Sequence, residues 1–109
     1  MTSSYHYYIS NNYLIIALKP IENENLGFFK QILSNGKDRF SNVILELNSY
    51  QIMDEPTVSF INKIIDFFKM YDIKTFIAGI QAETAYFLSN LDVQINAKIY
   101  LNLDKVVKK

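Results

Sequence analysis

The sequence predicts an α/β domain in which an N-terminal β-hairpin leads into a mixed sheet with parallel βαβ crossovers and about four helices. Three stretches carry that expectation. Residues 43–47, V-I-L-E-L, are a nearly unbroken aliphatic run, the pattern of a strand covered on both faces rather than one alternating between core and solvent. After a short acidic loop, Val58, Ile61, Ile64, Ile65 and Phe68 recur at helical spacing, and T-F-I-A-G-I at 75–80 reads as a second buried strand. A strand, a helix of about four turns and another strand form a βαβ unit, which implies parallel pairing and a right-handed crossover.

The remaining elements follow in order. Residues 5–9 and 13–18 are aromatic and β-branched runs joined at Asn11-Asn12, where asparagine tolerates the positive φ of a tight hairpin turn. Lys19-Pro20 ends the second run. Residues 22–35 start acidic, place Leu26, Phe29 and Leu33 along one face with Phe28 and Ile32 beside it, and meet Gly36 where a helix stops. Lys37-Asp38-Arg39 is a charged connection into the strand at Val43. Beyond the βαβ unit, residues 81–90 predict a short helix with Ala85 and Leu88 turned inward and Leu91 closing the turn. Val93-Gln94-Ile95 fits either a loop or a strand. Residues 98–101 predict a short final strand, and Asn102 is placed to cap a last helical turn carrying Leu103, Val106 and Val107.

Composition narrows the function classes. With 109 residues, half of them apolar, the chain is expected to form one domain with a core that needs no staples. Eleven basic residues balance eleven acidic ones, leaving no global field to hold a nucleic acid or an anionic membrane. The absence of cysteine excludes disulfides, thiolate metal sites and thiol nucleophiles. The opening M-T-S-S-Y-H-Y-Y lacks a basic and apolar leader, and no apolar run approaches a membrane span, so a cytoplasmic placement without direct membrane insertion is expected. No glycine-rich phosphate loop occurs. His6 is the single histidine and stands among tyrosines without a second ligand nearby, so neither a metal nor a cofactor is expected. Asp54 and Glu55 are adjacent carboxylates with no nucleophile or oxyanion hole beside them, and no catalytic residue is assigned.

The candidate functional stretch is the start of the central helix. Asp54 can cap the free N–H groups, Glu55 suits the positive end of the macrodipole, and Pro56 fits a first-turn position where its missing N–H costs nothing. Tyr5, Tyr7, Tyr8 and Tyr13 form a concentration of tyrosines near the start of the chain. Without a basic groove they do not suggest base stacking; they can fill the outer face of the hairpin or support a homodimer through an edge strand.

Three stretches together resemble a known family. V-I-L-E-L-N-S-Y-Q-I-M-D-E at 43–55 resembles the hydrophobic strand, short loop and aspartate that precede the central helix of STAS domains, the fold of bacterial anti-sigma-factor antagonists and stressosome proteins. F-I-A-G-I-Q-A-E-T-A at 76–85 is similar to the strand-Gly-Ile-x-Pro-Glu-x-Ala stretch of the stressosome branch, and L-N-L-D-K-V-V at 101–107 resembles the common ending. The resemblance implies a non-catalytic interaction module that works by partner switching, with a kinase, an anti-sigma-type regulator or another STAS protein as partner. In that scheme a serine or threonine at the start of the central helix is phosphorylated, and the added charge decides which protein is held. It also allows an accessory subunit of a membrane transport or lipid-transfer complex, or a scaffold subunit of a larger assembly.

This sequence departs from the family pattern where the acceptor would stand, with Glu55-Pro56-Thr57 after the matching Asp54. One reading makes Glu55 a fixed carboxylate, with about one charge and two acceptor oxygens, locking the switch in one setting; the other makes Glu55-Pro56 simply a good helix start. Thr57 and Ser59 are displaced acceptor candidates. Gln81 to Thr84, just after the second parallel strand, is a second candidate surface, where Thr84 is another acceptor candidate by resemblance to stressosome-type domains, against a reading in which Glu83 and Thr84 only satisfy first-turn donors.

Overall fold

The computed structural model describes residues 5–20, 26–36, 39–51, 53–91 and 94–100. Its elements are β1 (His6–Ser10), β2 (Tyr13–Ala17), α1 (Gly27–Gly36), β3 (Asn42–Glu46), α2 (Glu55–Lys69), β4 (Lys74–Ala78), α3 (Ala82–Leu88) and β5 (Lys98–Tyr100). The five strands form one sheet in the order β1-β2-β3-β4-β5. The hairpin pair β1 and β2 is antiparallel, closed by Asn11 at φ 53° and Asn12 at φ 72°, the left-handed pair that a two-residue hairpin requires. All later pairs are parallel.

Because the parallel strands neighbour one another in chain order, right-handed crossovers carry their connecting helices to a single face of the sheet. The main core follows that geometry. Leu14, Ile16, Val43, Leu45 and Ile77 from the strands join Phe29, Ile32 and Leu33 of α1 and Val58, Ile61, Ile64 and Phe68 of α2. Phe29 is fully buried, with ring centroids 5.6 Å from Tyr5, 6.3 Å from Phe60 and 6.2 Å from Phe68. The opposite face carries a smaller cluster of Tyr13, Ile15, Ile44 and Ala78, with Phe76 and Tyr100 against it. Val43 and Leu45 face one way and Ile44 the other, so β3 is covered on both sides, as its unbroken apolar run predicts.

Several details differ from the expectation. Helix α1 includes Gly36 as its last residue, and residues 21–25, where an earlier start was expected, lie outside the described residues. Three helices are present among the described residues; the anticipated fourth around Leu103, Val106 and Val107 lies outside them, as do Asn102 and Leu101. Strand β4 ends at Ala78, two residues before the predicted end, because Gly79 takes φ 75° and turns the chain away from the ladder. On α3 the fully buried residue is Thr84; Ala85 is exposed and Leu88 half-buried. Gln94-Ile95 is neither helix nor strand, but it is anchored. The Asn62 carboxamide donates to the Gln94 carbonyl and accepts from the Asn96 N–H, both at 2.8 Å.

Gly79 is also where two connections press together. A Cβ built on it would lie 2.8 Å from the Asn48 amide atoms, so any side chain meets both a left-handed backbone and a close neighbour. Gly79→Ala is expected to lower the free energy of unfolding by about 1–3 kcal/mol, read as a lower midpoint in urea with an unchanged slope.

Candidate functional site

The carboxyl ends of β3 and β4 lie side by side, held by parallel pairing of Glu46 with Ala78 and by the Leu47 N–H to the Ala78 carbonyl at 3.0 Å. The connection after β3 and the connection after β4 therefore leave the sheet together. In open parallel sheets this edge is the usual place for binding.

The connection after β3 runs through Asn48 and Ser49 to the helix start. Tyr50 and Met53 are buried in the core, while Asn48, Ser49, Gln51 and Asp54 are exposed. Asp54 is the N-cap of α2, with extended backbone, and its Oδ1 accepts from the Thr57 N–H at 3.0 Å. The Thr57 hydroxyl and then its backbone N–H favour the ionised form and hold the Asp54 carboxyl below its ordinary value of 3.8. Glu55 and Pro56 follow as the first residues of the helix, both exposed. Thr57 is half-buried, with its backbone N–H on Asp54, and Ser59 is exposed.

The connection after β4 braces this loop from the side. The Gln81 Nε2 donates to the Asn48 carbonyl at 2.5 Å. The Thr84 hydroxyl, fully buried, lies 2.6 Å from the Tyr50 carbonyl and 2.8 Å from the Gln51 carbonyl. It has one proton for two acceptors, so it donates to them in alternation or shares it. Thr84 thus supplies a donor to the β3–α2 loop, instead of capping its own helix as its first-turn position suggests. A kinase acting on it would first have to open this contact.

The two stretches singled out separately in the sequence, 54–57 and 81–84, are therefore parts of one structure joined through residues 48–51. Sequence reasoning did not single out Asn48 or Gln81 for this role. A signal for Thr84 was present in its spacing, since Thr84, Leu88 and Leu91 fall four and then three residues apart, which is one helix face.

The tyrosines divide. Tyr5 and Tyr13 are buried, whereas Tyr7 and Tyr8 are half exposed on β1, an edge of the sheet. Tyr7 faces the helix side, 5.9 Å from the Phe28 ring, and Tyr8 faces the other. His6 is exposed on the same strand. Among the described residues no three histidine, aspartate or glutamate side chains come together as a metal site, and no helix is long and apolar enough to cross a membrane.

Residues 9–106 match the STAS domain family. Among solved structures, RsbS of Moorella thermoacetica in a serine-to-glutamate form is similar with a TM-score of 0.71 at 17% identity, over 91% of this chain and 90% of that one. A chain of the stressosome, described as a signal integration and transduction hub, is similar with a TM-score of 0.71 at 16% identity, over 92% and 90% of the two chains. At those identities the likeness is one of fold. No curated protein gives a significant match to the sequence.

Two measurements probe the geometry. Asp54 titrates lower folded than unfolded, so its stabilisation is complete above pH 3.8 and is lost as pH falls through the lower folded value. Asp54→Ala is expected to cost about 1 kcal/mol at neutral pH, with the gap to wild type closing in denaturation curves below pH 3.8. Thr84→Val keeps the shape and removes the donor, leaving two carbonyls short; a loss of about 1–3 kcal/mol is expected. Hydrogen exchange should then quicken in residues 48–57 before it does in β3.

Proposed function

The chain belongs to the STAS domain family, and on that premise we propose that it is a non-catalytic protein–protein interaction module of a bacterial partner-switching pathway in stress signalling. The whole chain acts as a single domain in the cytoplasm, and its docking surface is the exposed helix start Asp54, Glu55, Pro56 and Thr57. The observation that supports this reading is the brace beneath that surface. Gln81 and Thr84 hold the loop leading to it, and Tyr50 and Met53 root it in the core. A loop held this way offers a partner a nearly rigid target and little ordering cost on binding.

Glu55 is the charged group on that surface that never needs a kinase. It places a permanent carboxylate on the first turn of α2, exposed to a partner. The switch is therefore set in one position, with a charge smaller than a phosphate's. Thr57 is a poor replacement acceptor, because it is half-buried in the first turn with its backbone N–H bonded to Asp54. Ser59 is open to solvent but lies further into the helix. The partner is a kinase, an anti-sigma-type regulator or another STAS protein, and β1, with Tyr7 and Tyr8 exposed at the sheet edge, is the surface for self-association.

Affinity purification of wild type beside Glu55→Ser, with mass spectrometry of partners and phosphosites, tests this. The expected result is a phosphate on the new serine and the exchange of one protein partner for another. Identical partners and no phosphate in both samples would reduce Glu55-Pro56 to a helix start and move the interaction surface elsewhere. Recovery of membrane transport subunits would favour an accessory role instead.

A further inference from the structure

Strand β1 forms one edge of the sheet, and the hydrogen bonds of its neighbour fix which of its backbone groups point outward. The Leu18 N–H donates to the Glu46 carbonyl at 3.0 Å, so Leu14, Ile16 and Leu18 turn their backbone groups toward β3, while Tyr13, Ile15 and Ala17 turn theirs toward β1. The Asn11-Asn12 turn gives the same alternation, because a two-residue loop closes on a pair that exchanges both of its bonds, here Ser10 and Tyr13. On β1 the inward residues are therefore His6, Tyr8 and Ser10. Tyr7 and Ile9 direct their N–H and C=O groups away from the sheet, and among the described residues nothing bonds to them there.

An open edge is usually guarded by charge, by proline or by a bulge. Residues 5–18 contain no aspartate, glutamate, lysine, arginine or proline, and β1 runs against β2 in unbroken register. Tyr7, beside Phe28 on the helix side, and Tyr8 on the other are both half exposed, so apolar side chains flank the bare edge on both faces. The outward groups also complement themselves. They stand on either side of Tyr8, so a second β1 laid antiparallel brings Tyr7 opposite Ile9 of the partner subunit and Ile9 opposite the partner's Tyr7. Each pair exchanges both of its N–H···O=C bonds around a two-fold axis at Tyr8. No charged side chain of either strand opposes the approach.

Resting on the reading of β1 as the surface for self-association, we propose that two copies of this chain join edge to edge through β1, antiparallel and centred on Tyr8, and continue their sheets as one. Tyr8 then meets the partner's Tyr8 at a site without hydrogen bonds, where side chains come closest, and His6 lies opposite the partner's Ser10. The self-complementary spacing and the uncharged strand favour a second copy over a foreign strand. Five residues make an edge about 17 Å long, a smaller contact than the roughly 800 Å² per partner of a standard interface. The dimer is therefore weak and forms between about 1 μM and 1 mM protein.

Hydrogen exchange of the full-length protein at rising concentration, beside sedimentation, tests the pairing. The Tyr7 and Ile9 amides are expected to slow as the dimer forms, while that of Tyr8, already bonded to β2, does not change. Because the chain has no cysteine, single-cysteine variants read the register. Under mild oxidation Tyr8→Cys is expected to form an intermolecular disulfide, its Cα atoms about 4.5 Å apart across the axis, whereas His6→Cys, about 14 Å from its own copy, is not. Tyr8→Lys changes an exposed side chain and should keep Tm while weakening the dimer about tenfold, by setting like charges opposite each other. No self-association up to about 1 mM, or a dimer indifferent to Tyr8→Lys, removes β1 as the self-association surface altogether. A dimer that Tyr8→Lys weakens but that cross-links through His6→Cys and not Tyr8→Cys overturns the register alone. Protection of Tyr7 and Ile9 that appears only when another protein is added gives the edge to that protein and overturns the proposal.

Discussion

The structure depends above all on β3 being paired in parallel on both of its edges and buried on both of its faces. Val43 and Leu45 turn toward the helices and Ile44 toward the other side, so all three are kept away from water. Once β3 is set, β2 and β4 are set beside it, and the helices that connect them fall on one face. The position of every loop at the two ends of the sheet follows from that one strand.

At the carboxyl edge the consequence is a pair of connections with little freedom. Gly79 comes so close to Asn48 that a side chain would not fit without displacement, and the Gln81 amide and Thr84 hydroxyl tie the second connection to the carbonyls of the first. The start of α2 is thus fixed twice, locally by Asp54 and remotely by α3. That double support suits a surface that must be recognised in one shape. It also means that a charge placed on Thr84 would act on residues 48–51 through lost hydrogen bonds, whereas the Glu55 carboxylate stands exposed at the helix start.

At the amino edge the packing is less complete. Strand β5 has three residues and joins the ladder late, which leaves a groove beside Lys74 and Thr75. The sheet thus has a tightly bonded end and an open end.

Much of this was readable from short stretches of chain. Asn11-Asn12 announces its turn because few residues accept a left-handed backbone, Asp54-Glu55-Pro56 announces a helix start because each satisfies a first-turn requirement, and the aliphatic run at 43–47 announces a doubly covered strand. Those are local properties, set by backbone sterics and by the spacing of apolar side chains. What local pattern could not contain was the pairing of groups far apart in the chain. Thr84 meets a carbonyl 34 positions away, Tyr5 and Tyr13 enter the core while Tyr7 and Tyr8 do not, and Thr75 borders a groove only because β5 pairs late. Each depends on which remote atoms the strand register brings opposite, and that is decided only when the sheet closes.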